Sequence, residues 1–119
     1  MSKVIGIVGS RRRNSEPDYV ACSEAFLDIF EDGDTLVSGG CSKGGDRFAE
    51  IIAADLGLSI TIHFPDWKLG KSAGFVRNTK IAEDCDVLIA VVSSDRTGGT
   101  EDTIKKARKL NKKIVLVKP

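Results

Sequence analysis

The chain has 119 residues, of which 41% are hydrophobic and 29% charged, a composition typical of one globular domain and not of a disordered or fibrous chain. Its 18 basic and 17 acidic side chains leave a net charge of +1, which argues against a dedicated duplex-binding protein. The sequence contains neither an apolar run of about 20 residues nor a signal-peptide pattern, so we expect a cytoplasmic protein with no membrane partner.

Short apolar runs and helical patterns alternate along the whole chain. Runs rich in β-branched residues predict strands, and apolar side chains that recur every three to four positions predict helices. Ser15 is expected to cap the first helix and Gly57 to end the second. In chain order, the predicted elements are a strand at 3–8, a helix at 15–30, a strand at 35–38, a helix at 46–56, a strand at 58–64, a loop at 65–71, a helix at 73–84, a strand at 86–92, a helix at 101–110 and a strand at 113–117.

This alternation predicts an α/β fold. Strands that are joined through helices form right-handed crossovers, which give a parallel sheet with helices on both faces. We therefore expect a single Rossmann-like, three-layer domain over residues 1–119, with a five-stranded parallel sheet in the order 3-2-1-4-5. Such sheets bind ligands beyond the carboxyl ends of the strands at the switch point, which here lies between the first and fourth strands.

The loop after the first predicted strand contains a glycine followed by donors. Gly9 permits close approach of a ligand, and Ser10 and Arg11 can donate hydrogen bonds to a phosphate or a carboxylate. A solvated turn is an equally good interpretation of Arg11, and it is the favoured one for Arg12 and Arg13.

The loop after the second predicted strand is rich in glycine and leads into a helix. Backbone N–H groups at a helix N-terminus bind anions, and glycines let the anion come close. For the aspartate of this loop, capping of the helix is the simpler interpretation. The candidate ligand-binding residues here are Gly39, Gly40, Lys43, Gly44, Gly45 and Asp46.

Two further segments are expected at the same edge of the sheet. Gly98, Gly99 and Thr100 precede the fourth helix and form another anion-binding loop, although Thr100 alone would also suit a helix N-cap. In the third helix, Arg77 could clamp a phosphate bidentately beside Asn78, with a plain surface position as the alternative.

The remaining chemistry-bearing residues favour structural roles. Trp67 could stack on a base, although packing in the core or at its rim is the more ordinary role. His63 is interpreted as a structural residue and not as a general base. Cys22, Cys41 and Cys85 are widely spaced and fit neither a disulfide framework nor a metal site, so we expect buried, reduced thiols. The sequence predicts no metal and no cofactor.

In combination, these motifs resemble the SLOG superfamily, a Rossmann-like group that includes the YspA-like and YpsA-like proteins, DprA and the LOG (Lonely Guy) phosphoribohydrolases. The similarity covers nearly the whole chain and is greatest to the small YspA-like branch. The resemblance implies a pocket for a nucleotide or a nucleotide-derived ligand, and homo-oligomerisation. The motifs that carry it are, in order, Gly9-Ser10-Arg11, Ser38-Gly39-Gly40 with Lys43-Gly44-Gly45-Asp46, Phe64-Pro65 with Trp67, Ala73-Gly74 with Arg77-Asn78, and Gly99-Thr100.

The resemblance to the LOG enzymes is incomplete at the catalytic positions. Arg77 matches the catalytic arginine that these enzymes carry ahead of their fourth strand. Their P-G-G-x-G-T-x-x-E motif has no proline here, and Thr103 occupies the position of the catalytic glutamate. Glu101 or Asp102 could replace it only with a shifted geometry.

Three functions follow as hypotheses. The first is a domain that binds or senses a small nucleotide or phosphorylated nucleoside-derived ligand. The second is a phosphoribohydrolase that cleaves the N-glycosidic bond of a nucleoside 5′-monophosphate, with Arg77 and Glu101 as catalytic residues. The third is single-stranded nucleic-acid binding, as in DprA, through the basic residues at 11–13 and 105–113. Nucleic acid is the least expected partner, because the net charge is low and only 6% of residues are aromatic.

Overall fold

The computed structural model describes residues 2–119, which form five strands and four α-helices. A 3₁₀ helix precedes the third α-helix. The elements are, in chain order, β1 (Val4–Gly9), α1 (Glu16–Ile29), β2 (Thr35–Gly39), α2 (Gly45–Leu56), β3 (Ile60–His63), the 3₁₀ helix (Trp67–Ser72), α3 (Ala73–Asp84), β4 (Val87–Val91), α4 (Gly99–Lys109) and β5 (Lys113–Val117).

The five strands form one parallel sheet in the order β3-β2-β1-β4-β5, which confirms the predicted α/β topology. β1 is central and pairs with β4 from Ile5–Val87 to Gly9–Val91. On its other side β1 pairs with β2. The chain order reverses between β1 and β4, so the switch point lies where Gly9 and Val91 end their strands.

Two apolar cores, one on each face of the sheet, hold the three layers together. Phe26 of α1 and Phe48 of α2 pack with Ile5, Ile7 and Leu36 on one face. Ile81 of α3 and Ile104 of α4 pack with the residues of the opposite face, including Val8, Val37 and Leu88. All five residues of β4 are buried, as expected for a parallel strand covered on both faces.

The predicted start of α1 is confirmed, and its geometry shows why the helix begins there. Ser15 accepts a hydrogen bond from the backbone N–H of Asp18, and the Asp18 carboxylate accepts one from the Ser15 backbone. This reciprocal capping box satisfies two N–H groups that the helix leaves unpaired. Gly57 ends α2 in the left-handed conformation, also as predicted.

Three predicted details are wrong. The stretch 65–71 is not simply a loop, because a 3₁₀ helix begins at Trp67, where the Asp66 carboxylate accepts a hydrogen bond from the Lys68 backbone at 3.1 Å. β3 is shorter than the predicted strand at 58–64. Asp46 does not cap α2, since the N-cap position is Gly44.

No helix within residues 2–119 has both the length and the apolar character required to cross a bilayer.

Candidate functional site

A cavity of about 410 Å³ opens at the switch point, beyond the carboxyl ends of β1 and β4. Segments that are distant in sequence converge here, because the parallel strands all end at this edge of the sheet. Of the predicted ligand-binding residues, nine line the cavity. They are Gly9, Ser10, Arg11, Asp46, Arg77, Asn78, Gly98, Gly99 and Thr100. Arg12, Cys41 and Thr97 also line it.

The N-terminus of α4 forms one wall of this cavity. Gly98 is the N-cap, with φ of 102°, a backbone conformation that side chains with a Cβ rarely adopt. The backbone N–H groups of Gly98, Gly99 and Thr100 find no acceptor in the part of the chain that the structure describes. Three unpaired donors and the positive end of the helix dipole therefore face the cavity, as anion binding requires.

Arg12 bridges the two loops that flank the switch point. Its guanidinium donates to both carboxylate oxygens of Asp95, each at 2.8 Å, and to the hydroxyls of Ser93 and Thr97 at 3.1 and 3.0 Å. Hydrogen bonds from Arg12, Ser93 and Thr97 hold the pKa of Asp95 well below its usual range. Arg12 is exposed, as expected for a solvated turn, and the sequence did not indicate the network that ties it to the rim.

The interpretation of Arg13 as a solvated residue of the turn is wrong. The residue is only 8% exposed, and its guanidinium donates to the backbone carbonyls of Val92 and Val117 and to the Asp18 carboxylate. It thereby links the β1–α1 turn to the ends of β4 and β5. Arg13 is a buried structural residue, whereas Arg11 is exposed and faces the cavity.

Arg77 is oriented by a short chain of hydrogen bonds that connects α3 to α4. Its Nε donates to Asn78 Oδ1 at 2.9 Å. Asn78 is 6% exposed, and its amide nitrogen donates to the Gly99 carbonyl at 3.3 Å and to Asp102 Oδ2 at 3.1 Å. The guanidinium is thus oriented relative to the α4 N-terminus, and Arg77 lines the cavity.

Asp46 lies under Arg77 and is 7% exposed. Burial raises the pKa of this carboxyl above its ordinary value, although the Cys41 backbone N–H and the charge of Arg77 act in the opposite direction. The Ser38 hydroxyl lies within hydrogen-bond distance of both the Ile7 carbonyl, at 2.5 Å, and Asp46 Oδ1, at 3.1 Å, which ties Asp46 to the central strands.

The β2–α2 glycines serve two different purposes. The structure does not bring Gly44 and Gly45 to the cavity: the Gly44 N–H donates to Asn14 Oδ1 at 2.8 Å, and Gly45 packs directly on the β1 backbone. Gly39 lies beneath the Arg77 guanidinium and Asp46, where a Cβ would be 2.5 Å from Arg77 Nη1. These three glycines therefore bring α2 and Arg77 close to the sheet and do not line the cavity.

A second depression of about 780 Å³ adjoins the cavity and shares Arg11, Arg12, Cys41 and Arg77 with it. We call it the aromatic groove. Phe64 and Trp67 are 68% and 71% exposed in it, so Trp67 does not pack in the core, one of the two packing roles expected for it. The remaining groove residues are Gly40, Ser42, Lys43 and Pro65, of which Gly40 and Lys43 were predicted to bind a ligand.

Glu101, the second predicted catalytic residue, lies elsewhere. Both of its carboxylate oxygens accept hydrogen bonds from Arg96, at 2.8 and 2.9 Å. It lines a shallow depression along the outer side of α4 and not the cavity that Arg77 lines. Arg96 has φ of 53°, a strained conformation for a residue with a side chain, and the ion pair with Glu101 stabilises it.

His63 and two of the three cysteines lie outside the cavity lining. His63 contacts the Asp84 carboxylate at 2.5 Å. Burial raises the pKa of the Cys22 thiol to about 12 and that of Cys85 to about 11, which makes both inert at neutral pH. Cys41 is only partly buried and lines the cavity, contrary to the expectation for all three cysteines. Across residues 2–119, no group of His, Cys, Asp or Glu side chains is arranged to hold a metal ion.

Fold and site together define the class: a Rossmann-like α/β protein with a basic, glycine-lined cavity at the switch point of its sheet. A scan against protein-family models, a search of curated proteins and a search of solved structures each found no match. The function of the site is therefore argued from its own geometry and charge.

Proposed function

We propose that this protein binds a nucleotide or a phosphorylated nucleoside-derived ligand, with the phosphate in the switch-point cavity. The observation that carries the proposal is the convergence of two kinds of anion donor on one cavity. The unpaired N–H groups at the start of α4 form one side, and Arg11 and Arg77 line the other. On the motifs quoted above, we also propose membership of the SLOG superfamily.

The electrostatics of the cavity favour a phosphate. Asp46 is the one carboxylate among the cavity-lining residues of the described chain, and burial raises its pKa. Hydrogen bonds between guanidinium and phosphate are charge-assisted, and they are about twice as strong as neutral ones. The volume of about 410 Å³ is within the usual range for small-molecule sites.

The placement of the acidic residues supports binding over N-glycosidic cleavage. Glu101 is paired with Arg96 outside the cavity. Asp102 accepts hydrogen bonds from Asn78 and from Lys106, whose Nζ is 2.8 Å away. Neither carboxylate is positioned to act with Arg77 on a bound nucleotide, so we propose a binding or sensing role.

The basic run at 105–113 gives little support to nucleic-acid binding. Lys106 is engaged with Asp102, and the Lys112 ammonium donates to the carbonyls of Glu83 and Cys85 at 3.1 and 2.6 Å. The Lys112 contacts tie the turn after α4 to the C-terminal end of α3. A run that is partly committed to structural contacts offers fewer cations to a phosphate backbone.

The proposal is tested by thermal shift and titration calorimetry with ribose 5-phosphate and adenosine monophosphate. A ligand at 100 times its Kd should stabilise the fold by about 2.7 kcal/mol. The variant Arg77→Gln removes the guanidinium charge and should weaken binding about 10- to 100-fold, because charged hydrogen bonds contribute about 1.5–3 kcal/mol.

Arg108→Gln is the matched control, since Arg108 is exposed on α4 and lies outside the cavity. It should bind both ligands as the wild type does. Phosphate binding at this site would be contradicted if neither ligand raised the melting temperature. It would also be contradicted if the two variants lost affinity equally.

A further inference from the structure

The aromatic groove presents two large rings to solvent at the edge of the proposed phosphate site. Phe64 and Trp67 are among the most exposed apolar side chains of the described chain. A soluble domain normally buries such rings, because each carries a large apolar surface. Their exposure side by side along one groove points to a ligand that covers them.

The local structure positions both residues: it packs the Phe64 ring on Gly40 and fixes the backbone at Trp67. The Phe64 ring lies so close to the Gly40 backbone that a Cβ at Gly40 would be 2.1 Å from its Cδ1. Trp67 is the first residue of the 3₁₀ helix, whose first turn is closed by the hydrogen bond from the Leu69 N–H to the Asp66 carbonyl at 2.9 Å. Gly40 and the 3₁₀ helix thus position the two residues on the same groove.

The charge of the groove identifies the kind of ligand. Its cations are Arg11, Arg12, Lys43 and Arg77, and the described residues that line it include no carboxylate. The three arginines among them also line the switch-point cavity, so the two depressions adjoin each other. A molecule that occupies both must combine an anionic group with a flat aromatic one.

We propose that the aromatic groove is the base subsite of the nucleotide site, in which the base stacks on Trp67 while its phosphate lies in the adjacent cavity. This inference rests on the proposed function and narrows it: the ligand class is a nucleotide that retains its base, not a sugar phosphate. Stacking on an aromatic side chain tolerates any base, and the groove supplies the flat surface that the cavity lacks.

Trp67 is the single tryptophan of the sequence, so its fluorescence reports on the groove directly. The wild-type protein is titrated with ribose 5-phosphate and with adenosine and guanosine monophosphate, and binding is followed in parallel by calorimetry. We expect the nucleotides to bind at least 10-fold more tightly than ribose 5-phosphate. We expect only the nucleotides to quench Trp67 strongly.

The variant Trp67→Ala should lose about 10-fold in affinity for the two nucleotides and none for ribose 5-phosphate. Phe75→Ala is the matched control: Phe75 is 56% exposed but lines neither depression, and its ring faces the Lys106 ammonium. This control should leave all three affinities unchanged.

The outcomes separate this inference from the proposed function. If ribose 5-phosphate binds and Trp67→Ala leaves nucleotide affinity unchanged, the base subsite is refuted and phosphate binding stands. If neither ribose 5-phosphate nor the nucleotides bind, both proposals fail. If Trp67→Ala instead converts an oligomer to a monomer in size-exclusion chromatography without affecting nucleotide affinity, the groove is a contact between copies and the base subsite is refuted.

Discussion

Three consecutive arginines illustrate how residue type alone does not determine a role. Arg11 is exposed at the cavity, Arg12 is held by Asp95, and Arg13 is buried against two backbone carbonyls. Successive side chains on the turn after β1 point in different directions, so each meets a different part of the fold. The tight turn thus places one arginine for a ligand and uses the other two for structure.

At the same scale, the three cysteines are predicted to differ sharply in reactivity. Burial raises the pKa of Cys22 and Cys85, whereas Cys41 lines the cavity and is partly exposed. Iodoacetamide at pH 8 should therefore label Cys41 first, as peptide mass spectrometry would detect. A bound nucleotide should slow that labelling, and equal labelling of all three in the folded protein would contradict the described geometry.

These assignments mark the limit of what sequence could predict at the residue scale. Gly9, Ser10, Arg11, Arg77 and Asn78 were found because topology places their segments at one edge. The roles of the arginines at 12 and 13 depend on partners 79 to 104 residues away, and no local pattern encodes those contacts.

At the scale of the elements, close packing of α2 on β1 determines the shape of the site edge. A Cβ on Gly45 would be 2.3 Å from the Val8 carbonyl carbon, so the helix begins against the strand backbone itself. Glycine at a helix start can indicate either such an approach or an anion-binding loop. Sequence alone could not distinguish these two roles. In the structure, Gly44 and Gly45 allow the start of α2 to lie close to the preceding segments of the chain.

A pair of glycine substitutions tests this packing. Gly45→Ala should destabilise the fold by about 2–3 kcal/mol, because backbone atoms must move to admit the methyl group. Gly74→Ala is the control: it lies in the first turn of α3 with open space around it, and alanine there should stabilise by about 0.5–1 kcal/mol. Urea unfolding measures both, and a neutral Gly45→Ala would show that α2 does not rest on β1.

The order of elements was the most predictable feature, because strand and helix periodicities are local properties. All five strands and all four helices were identified, and the chirality of crossovers led to the sheet order. The 3₁₀ helix was not predicted, since its two exposed hydrophobic residues Trp67 and Leu69 follow no helical period and pack on little. The aromatic groove was not predicted either, because Trp67, the first residue of this 3₁₀ helix, lines it.

For the whole molecule, stability is expected to depend on pH through Asp34, which joins β1 to β2. Its solvent-inaccessible carboxylate accepts hydrogen bonds from the Lys3 backbone and ammonium and from the Glu31 N–H. Burial acts to raise the pKa of Asp34, but these donors outweigh it and leave the pKa below its ordinary value. The folded state therefore binds a proton here less readily than the unfolded state does.

The sign of the effect follows from linkage. A lowered carboxyl pKa contributes stability that is present above the unfolded value of about 3.9 and is lost as the pH falls through the folded value. Asp34→Asn should lower Tm by several degrees at pH 6, and its difference from the wild type should shrink toward pH 3. Calorimetry at the two pH values measures this, and a difference that grew on acidification would contradict the assigned contacts.

The two depressions at one edge of the sheet give the molecule its proposed function: a phosphate held by the α4 N-terminus, Arg11 and Arg77, and a base on the neighbouring aromatic groove. Amide NMR tests this most directly, by titrating the ¹⁵N-labelled protein with adenosine monophosphate. We expect the largest shifts on Gly98, Gly99 and Thr100 and on the turn at 9–12, and we expect the Trp67 indole N–H to shift as well. Unchanged amides at the α4 N-terminus in the presence of saturating nucleotide would contradict it.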